Sequence, residues 1–313
     1  MMQNFYLLSL LTLLSACGYS ARGINQEPPQ RYVHKYGVDV TQEDWERRGK
    51  DGDVITTTTA GVTIRKRFSH GIQDGETTYS FPHRQEVAKS EMWKEGQLQS
   101  EFMLYPTGEK EREILYFPGG KKETQWFESG SLYAEEEYHD KFLVEGRYFT
   151  PQKEEEAHVV NKEGTRVNRD HYGQLISVET IASGEVIKRT LFYPNGIPKE
   201  ETPFVSCVVE GMRRTFFPDG SPESIEEWKN GTQSGLTTLF QNGERVAEVS
   251  YKRGLKNGIE HLYDDRQNLL EEIHWLNNKK HGAHIHYGPE RTTTEWYIRG
   301  RSVSPKEWEQ SQK

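Results

Sequence analysis

The sequence is poor in cysteine, in basic charge and in long apolar runs, and each shortage excludes a class of protein. Cys17 and Cys207 are the only cysteines among 313 residues, which rules out both a disulfide framework and a cysteine-based zinc site. Lys and Arg number 40 against 48 Asp and Glu, giving a formal net charge of −8. An acidic chain has no general attraction for nucleic acid, so we expect no such partner.

Apolar residues are also scarce, at 33% of the chain with a mean hydropathy of −0.88. Such polarity is compatible with disorder. Two features argue against disorder. The aromatic content is 12%, and the 28 glycines recur at regular offsets. Large rings can supply most of the burial in a thin structure, so this composition favours a β architecture.

The one marked apolar run lies at the amino terminus, over residues 5–17, and is too short to span a bilayer. It suits the apolar region of a signal peptide. Its end, Leu14-Ser15-Ala16-Cys17, resembles a bacterial lipobox. The resemblance implies that residues 1–16 are removed as a lipoprotein signal peptide and that Cys17 carries lipid. An ordinary secretory signal and a buried amino-terminal helix are the alternatives.

The polar residues after Cys17, which include Pro28-Pro29, predict a flexible tether over residues 17–40. Anchoring through a lipidated Cys17 makes the membrane a partner and places the protein in the bacterial cell envelope. The residue after the cysteine is Gly18 and not a retention residue such as Asp. By resemblance to enteric sorting, this favours the outer membrane or a position facing the periplasm.

A pattern of four columns repeats over residues 191–301, with copies 24, 23 and 24 residues apart. The first column is aromatic: Phe204, Trp228, Tyr251 and Trp275. Three residues later stand Cys207, Gly231, Gly254 and Asn278, and seven residues after the aromatic stand Gly211, Gly235, Gly258 and Gly282. Twelve residues after it stand Phe216, Phe240, Tyr263 and Tyr287. Four columns in register indicate a repeat protein.

Each repeat predicts one β-hairpin of about 23 residues. Turn signals such as Pro-Asn-Gly and Asn-Gly separate short runs of strand-forming composition, and they recur too often for helices of normal length. Weaker copies occupy residues 41–150, and residues 151–190 form an irregular or degenerate region. We expect rings in one column to stack into ladders along the sheet, with no single central core.

The predicted fold is therefore all-β: an elongated antiparallel meander of stacked hairpins with a short C-terminal helix. Residues 302–313 supply that helix and a tail, because Ser304 to Glu307 form a capping box with Pro305 at the first helical position. We expect this helix to reach Trp308, to cover the last hairpin and to protect an exposed strand edge.

The four columns resemble MORN repeats, and most closely their bacterial variant, as in the stretch from Trp228 to Gly243. The resemblance is strong over residues 191–301 and moderate over residues 62–150. It implies a scaffold or binding surface without catalytic residues, and some bacterial relatives are described as antitoxin components. Three residues depart from the pattern: Cys207 and Asn278 in the first glycine column, and Arg266 in place of a turn glycine.

A histidine cluster near the C-terminus is the weak candidate for a metal site: His281, His284 and His286. His284 and His286 share a strand face, so both could reach one ion, and His261 lies in the preceding unit. The equivalent positions elsewhere are Thr237, Leu239, Glu260 and Leu262, which are not a ligand set. We therefore expect neither a metal nor another cofactor.

No nucleophile, phosphate loop or carboxylate pair stands in a recognisable catalytic pattern, so we expect no enzyme and no catalytic residues. Cys207, among valines, is expected to be a small buried thiol. The predicted function is a lipid-anchored envelope protein whose sheet binds an unidentified protein through exposed Tyr and Trp. The alternatives are an antitoxin or immunity protein that binds a cognate toxin and a scaffold that binds the membrane or envelope surface.

Overall fold

The computed structural model describes residues 29–313 as one long, open antiparallel sheet followed by a short C-terminal helix, which confirms the predicted fold class. The first strands and helix are β1 (Gln30–His34), β2 (Asp39–Val40), α1 (Gln42–Arg47), β3 (Gly52–Thr57), β4 (Thr63–Ser69), β5 (Ile72–Gln73), β6 (Gly75–Ser80), β7 (Val87–Lys94), β8 (Gln97–Leu104) and β9 (Lys110–Phe117). The middle strands are β10 (Gly120–Trp126), β11 (Leu132–His139), β12 (Phe142–Phe149), β13 (Glu155–Val160), β14 (Glu163–Arg169), β15 (Leu175–Ala182) and β16 (Glu185–Phe192).

The last elements cover the strong repeats. They are β17 (Pro198–Val205), β18 (Val208–Val209), β19 (Gly211–Phe216), β20 (Pro222–Lys229), β21 (Thr232–Gln241), β22 (Glu244–Lys252), β23 (Leu255–Tyr263), β24 (Leu269–Leu276), β25 (Lys279–Tyr287), β26 (Thr292–Ile298), β27 (Arg301–Val303) and α2 (Pro305–Ser311). β1 pairs with both β2 and β3, and from β3 onward each strand pairs with the next, except at the short β5 and β18. The short β5 and β18 lie in line with β6 and β19, opposite β4 and β17.

The amino-terminal end of the sheet contradicts part of the predicted tether over residues 17–40. Residues 30–40 contain β1 and β2, which are paired within the sheet, and the rest of the tether lies outside the described residues. The ring of Trp45, which is 4% exposed on α1, lies 5.7 Å from the Tyr32 ring and 6.4 Å from the Phe68 ring. Burial of these rings fixes a segment whose polar composition suggested a linker.

One edge of the sheet carries two-residue turns in which both central residues have positive φ, as type I′ hairpins require. Cys207 and Asn278 both have a φ of 64°, close to the 73° of Gly231 and the 78° of Gly254. The departures from the first glycine column therefore keep the left-handed backbone. The prediction that Cys207 is buried is wrong, because the thiol stands exposed at the tip of a turn.

Backbone hydrogen bonds join successive turns along this edge, with the turn residue as donor. The donor and acceptor pairs are Gly231 N–H to Val209 C=O at 3.0 Å, Gly254 N–H to Gln233 C=O at 2.8 Å and Asn278 N–H to Lys256 C=O at 3.0 Å. Stacking of one repeat on the next thus uses main-chain atoms at this column. The side chain there can vary if it tolerates the left-handed conformation.

Four-residue turns predominate at the opposite edge, although the two-residue turn Asn242-Gly243 joins β21 and β22 there. In the turn from Tyr193 to Gly196, the glycine N–H donates to the tyrosine carbonyl at 2.9 Å. The turn that was expected to place Arg266 at the glycine position begins one residue later than predicted, at Asp264. Gln267 donates to the Asp264 carbonyl at 3.0 Å and has a φ of 63°, so it replaces the glycine and Arg266 does not.

The second glycine column marks a bulge that recurs in the C-terminal hairpins. In β23, residues 257–259 stand opposite Ser250 alone. Gly258 at the centre has a φ of 114°, and Gly235 and Gly282 have values of 123° and 114°. A β-carbon on Gly258 would lie 2.9 Å from the Ser250 Cβ. Only glycine adopts this backbone without strain, so the column is a backbone requirement.

Residues 151–190 continue the sheet as β13–β16, but the whole sheet bends sharply there. β13 pairs with β14 only at Val159↔Gly164 and Val160↔Glu163. Beyond these two pairs, contacts join strands that are not neighbours. The Tyr133 hydroxyl on β11, for example, donates to the Val167 carbonyl on β14 at 3.0 Å.

The bend in the sheet encloses a compact apolar cluster: Phe127, Tyr133, Ala134, Leu143, Tyr148, Val159, Val167 and Ile181. The expectation that no core forms is therefore wrong in the middle of the chain, because β11 and β12 face β14 and β15 across this bend. Outside this region the hairpins stack as predicted, with Trp228, Tyr251 and Trp275 at equivalent register positions.

The C-terminal helix begins as the capping box predicts. The Ser304 side chain accepts a hydrogen bond from the Glu307 N–H at 3.2 Å, and α2 runs from Pro305 to Ser311. The Trp308 ring stacks on the Trp296 ring of β26 at a centroid distance of 5.5 Å. The helix thus packs on the last hairpin, as expected.

Candidate functional site

The C-terminal hairpins have two chemically distinct faces. The aromatic face is the one on which four rings occupy equivalent positions, each opposite a bulge glycine: Trp228, Tyr251, Trp275 and Tyr297. Long polar side chains lie between the rings on the intervening strands. Lys256 Nζ is 4.8 Å from the Trp275 ring centroid, and Lys280 Nζ is 5.1 Å from that of Tyr297.

The predicted ring ladder is therefore wrong in its contacts. No ring pair found within residues 29–313 joins two members of this column. Successive rings are two strands apart, about 10 Å, whereas aromatic rings contact each other at about 4.5–7 Å. Cation–π contacts from the intervening lysines connect the rings of Trp275 and Tyr297 to the preceding strands.

Trp228, Tyr251 and Trp275 are half-buried on the aromatic face. Beside the rings runs a buried column: Thr237, Val249, Glu260, Ile273 and His284. The bulge shortens the distance between Lys256 and Glu260, which share this face, so that Lys256 Nζ reaches Glu260 at 2.7 Å.

Polar pairing along the aromatic face is incomplete at one ring. The Trp228 indole N–H donates to Glu226 at 2.7 Å. Ile273 takes the place of that glutamate beside Trp275, and within the described residues the Trp275 indole nitrogen is buried without a hydrogen-bond partner. Substitution within a repeat column thus leaves a local cost.

The other face, which we term the aliphatic face, carries a row that follows the bulge glycines: Met212, Leu236, Ile259 and Ala283. The first three are 42%, 45% and 37% exposed. Ala283 is 9% exposed and pairs with Trp296, whose ring stacks on Trp308 of α2. The row is thus covered in its last unit and open in the three before it. This row was not predicted from the sequence, although the offset of one residue from each bulge glycine could have revealed it.

Two of the three candidate histidines come together on the aromatic face. His284 Nε2 lies 2.8 Å from a Glu271 oxygen, and His286 Nδ1 lies 3.4 Å from the other. One ligand atom from each of these three residues falls within 4.8 Å of the other two. His281 is separate, because its ring packs against Trp308 at 5.2 Å. Glu271 was not predicted, since the bulge shifts the register that places it opposite His286.

A second group of the same residue types lies on the aliphatic face. His261 Nε2 is 3.4 Å from Glu272, and His274 Nε2 is 2.9 Å from the same carboxylate. The hydrogen bond from His274 holds the pKa of Glu272 below its usual range, and that from His284 does the same to the pKa of Glu271. Both carboxylates therefore stay ionised at neutral pH.

Open depressions lie at the amino-terminal end of the described residues. One lies between Trp45 and Phe68, and another beside Asp51 and His70. Cys17 lies outside the described residues. Between residues 29 and 313, no helix is both long and apolar enough to cross a membrane.

No protein-family model matches the sequence, and a search of curated proteins gave no match.

Proposed function

We propose that the protein is a non-catalytic, lipid-anchored binding protein of the bacterial cell envelope whose aliphatic face takes a protein partner. The observation that carries this proposal is the row of Met212, Leu236 and Ile259. Single exposed apolar residues are ordinary, but here a stripe of apolar residues recurs at one position in three hairpins, with Glu227 and Ser250 on the intervening strands between its members. The side chains of the row carry no nucleophile or acid–base group.

The chain itself supplies a precedent for covering this stripe. At the fourth position of the row, Ala283 is nearly buried beside the Trp296–Trp308 stack, where α2 packs. A partner that presents aromatic or aliphatic side chains would extend the same packing over the three open positions. Contacts of this kind at the centre of an interface carry most of its binding energy.

Photo-crosslinking from the row tests the proposed surface. A benzophenone side chain at Leu236 is expected to give one discrete crosslinked partner in the native cell, because this position lies at the centre of the open row. The triple variant Met212→Lys, Leu236→Lys, Ile259→Lys is expected to lose co-purification of that partner by at least about tenfold.

Leu115, which is 48% exposed on β9 and remote in the sheet from the row on β19, β21 and β23, provides the matched control. Crosslinking from that position, and Leu115→Lys, should leave the partner's yield unchanged. Equal crosslinking from both positions, or full retention of the partner by the triple variant, would remove the support for the aliphatic face.

The proposed anchor is tested by metabolic labelling with a palmitate analogue. We expect Cys17→Ser to abolish the label and to release the protein from membranes, because the lipid attaches to that sulfur. Cys207→Ser is the control and should keep the label, since Cys207 lies in a turn of the sheet. Label that persists in Cys17→Ser would rule out the anchor.

A further inference from the structure

We propose that Glu271, His284 and His286 form a binding site for a divalent metal ion, with zinc as the ion to test. The separations between ligand atoms are 2.8 Å for His284 Nε2 to Glu271 and 3.4 Å for His286 Nδ1 to Glu271. Ligands at about 2.0–2.1 Å in a tetrahedral shell stand about 3.3 Å apart. Both carboxylate distances are close to this value, and the ligand atoms of the two imidazoles, which lie within 4.8 Å of each other, would approach it by movement of the half-exposed His286 ring.

The donor set matches the chemistry of a borderline cation. Two imidazoles and one carboxylate are the protein ligands of many zinc sites that keep a fourth, open position. His284 is 7% exposed, which holds its ring in place, whereas His286 and Glu271 are 39% and 31% exposed and leave a path from solvent. The open position would take water or a group from a bound partner.

Lys280 determines which ring nitrogen of His284 carries the proton. Lys280 Nζ lies 3.0 Å from His284 Nδ1, and because an ammonium only donates, Nδ1 accepts and Nε2 carries the proton that points at Glu271. Binding of zinc at Nε2 moves the imidazole proton from Nε2 to Nδ1, so His284 stays neutral. Lys280 then leaves the ring, and Glu295, 3.7 Å from Nδ1, becomes the acceptor.

The set occurs only in the last of the strong repeats. The positions of His284 and His286 are held by Thr237 and Leu239 in one preceding hairpin and by Glu260 and Leu262 in the next. A structural role in the column is thus satisfied without histidine.

Isothermal titration of the full-length protein with zinc in detergent micelles tests the site. We expect one saturable equivalent, with affinity lowered at least about tenfold by Glu271→Gln and by His286→Gln. His286 is half-exposed, so its substitution leaves the fold intact, and circular dichroism checks both variants. Lys280→Met is expected to tighten binding at least about threefold, because it removes a competing positive charge.

The group on the opposite face gives the matched control, since His274→Gln alters the same chemistry without touching the proposed ligands. Its zinc affinity should equal that of the wild type. The proposal is overturned by an absence of saturable binding, by equal losses in His286→Gln and His274→Gln, or by unchanged affinity in Lys280→Met.

Discussion

Replacing Gly258 by alanine is expected to lower the free energy of unfolding by at least about 2 kcal/mol. Gly258 has a φ of 114°, where L-residues are strained, and the added β-carbon would meet the Ser250 Cβ at 2.9 Å. The bulge cannot relax easily, because the contact between Lys256 and Glu260 depends on it. Urea denaturation of the variant, followed by tryptophan fluorescence, measures the loss.

The matched control is Gly254→Asn in the turn of the same hairpin. Asn278 already occupies the equivalent turn position with a φ of 64°, so asparagine at 254 should change the stability by no more than about 0.5 kcal/mol. Equal stability of Gly258→Ala and Gly254→Asn would contradict the view that the two glycine columns have different backbone roles.

The second large effect is expected in the middle of the sheet, where Arg166 is paired with Glu136. The Glu136 side chain is 1% exposed, lies 2.8 Å from Arg166 Nε and accepts hydrogen bonds from the hydroxyls of Tyr138 and Tyr148. Arg166→Met leaves this carboxylate buried without its cation. We expect a loss of about 3–5 kcal/mol in the free energy of unfolding, measured by the same denaturation experiment.

Arg147 is the control for this prediction, because its ion pairs with Glu135 and Glu155 are exposed and Arg147→Met should be nearly neutral. Adding Glu136→Gln to Arg166→Met should recover part of the loss, since the amide keeps an acceptor for the tyrosines without a buried charge. If the double variant were as unstable as the sum of its single changes, the pairing would not be the source of the effect.

The repeat columns predicted the hairpins well, and the physical reason is local. Turn glycines, paired aromatics and strand-forming runs act within about 23 residues, so their offsets are visible in the sequence. Ser304 and Pro305 likewise predicted the start of α2, because helix capping involves only neighbouring residues.

Features that depend on register were not predictable in the same way. The bulge at Gly282 shifts the pairing between β24 and β25, and only this shift brings Glu271 opposite His286. The column of rings was visible, but the position of Lys256 and Lys280 between the rings depends on which residues pair across the strands.

The apolar cluster in the middle was hidden for a different reason. Glu135, Glu136 and Glu137 mark the neighbourhood as acidic and solvated, yet Glu136 and Tyr148 are almost completely buried. Their burial arises from the sharp bend of the sheet at β13 and β14, which brings together residues about 30 positions apart in the chain. No local pattern in the sequence encodes that bend of the sheet.

Electron spin resonance distances from the native Cys207 test the stacked-hairpin account most directly. In a chain that carries Cys17→Ser, a second nitroxide at Leu255→Cys or Lys279→Cys occupies the exposed position after the second or third turn along the edge. Two strands per repeat predict separations of about 20 Å and about 30 Å, a nearly constant step for each hairpin. A separation to position 279 no longer than that to position 255 would mean that the repeats do not follow one another along a single sheet.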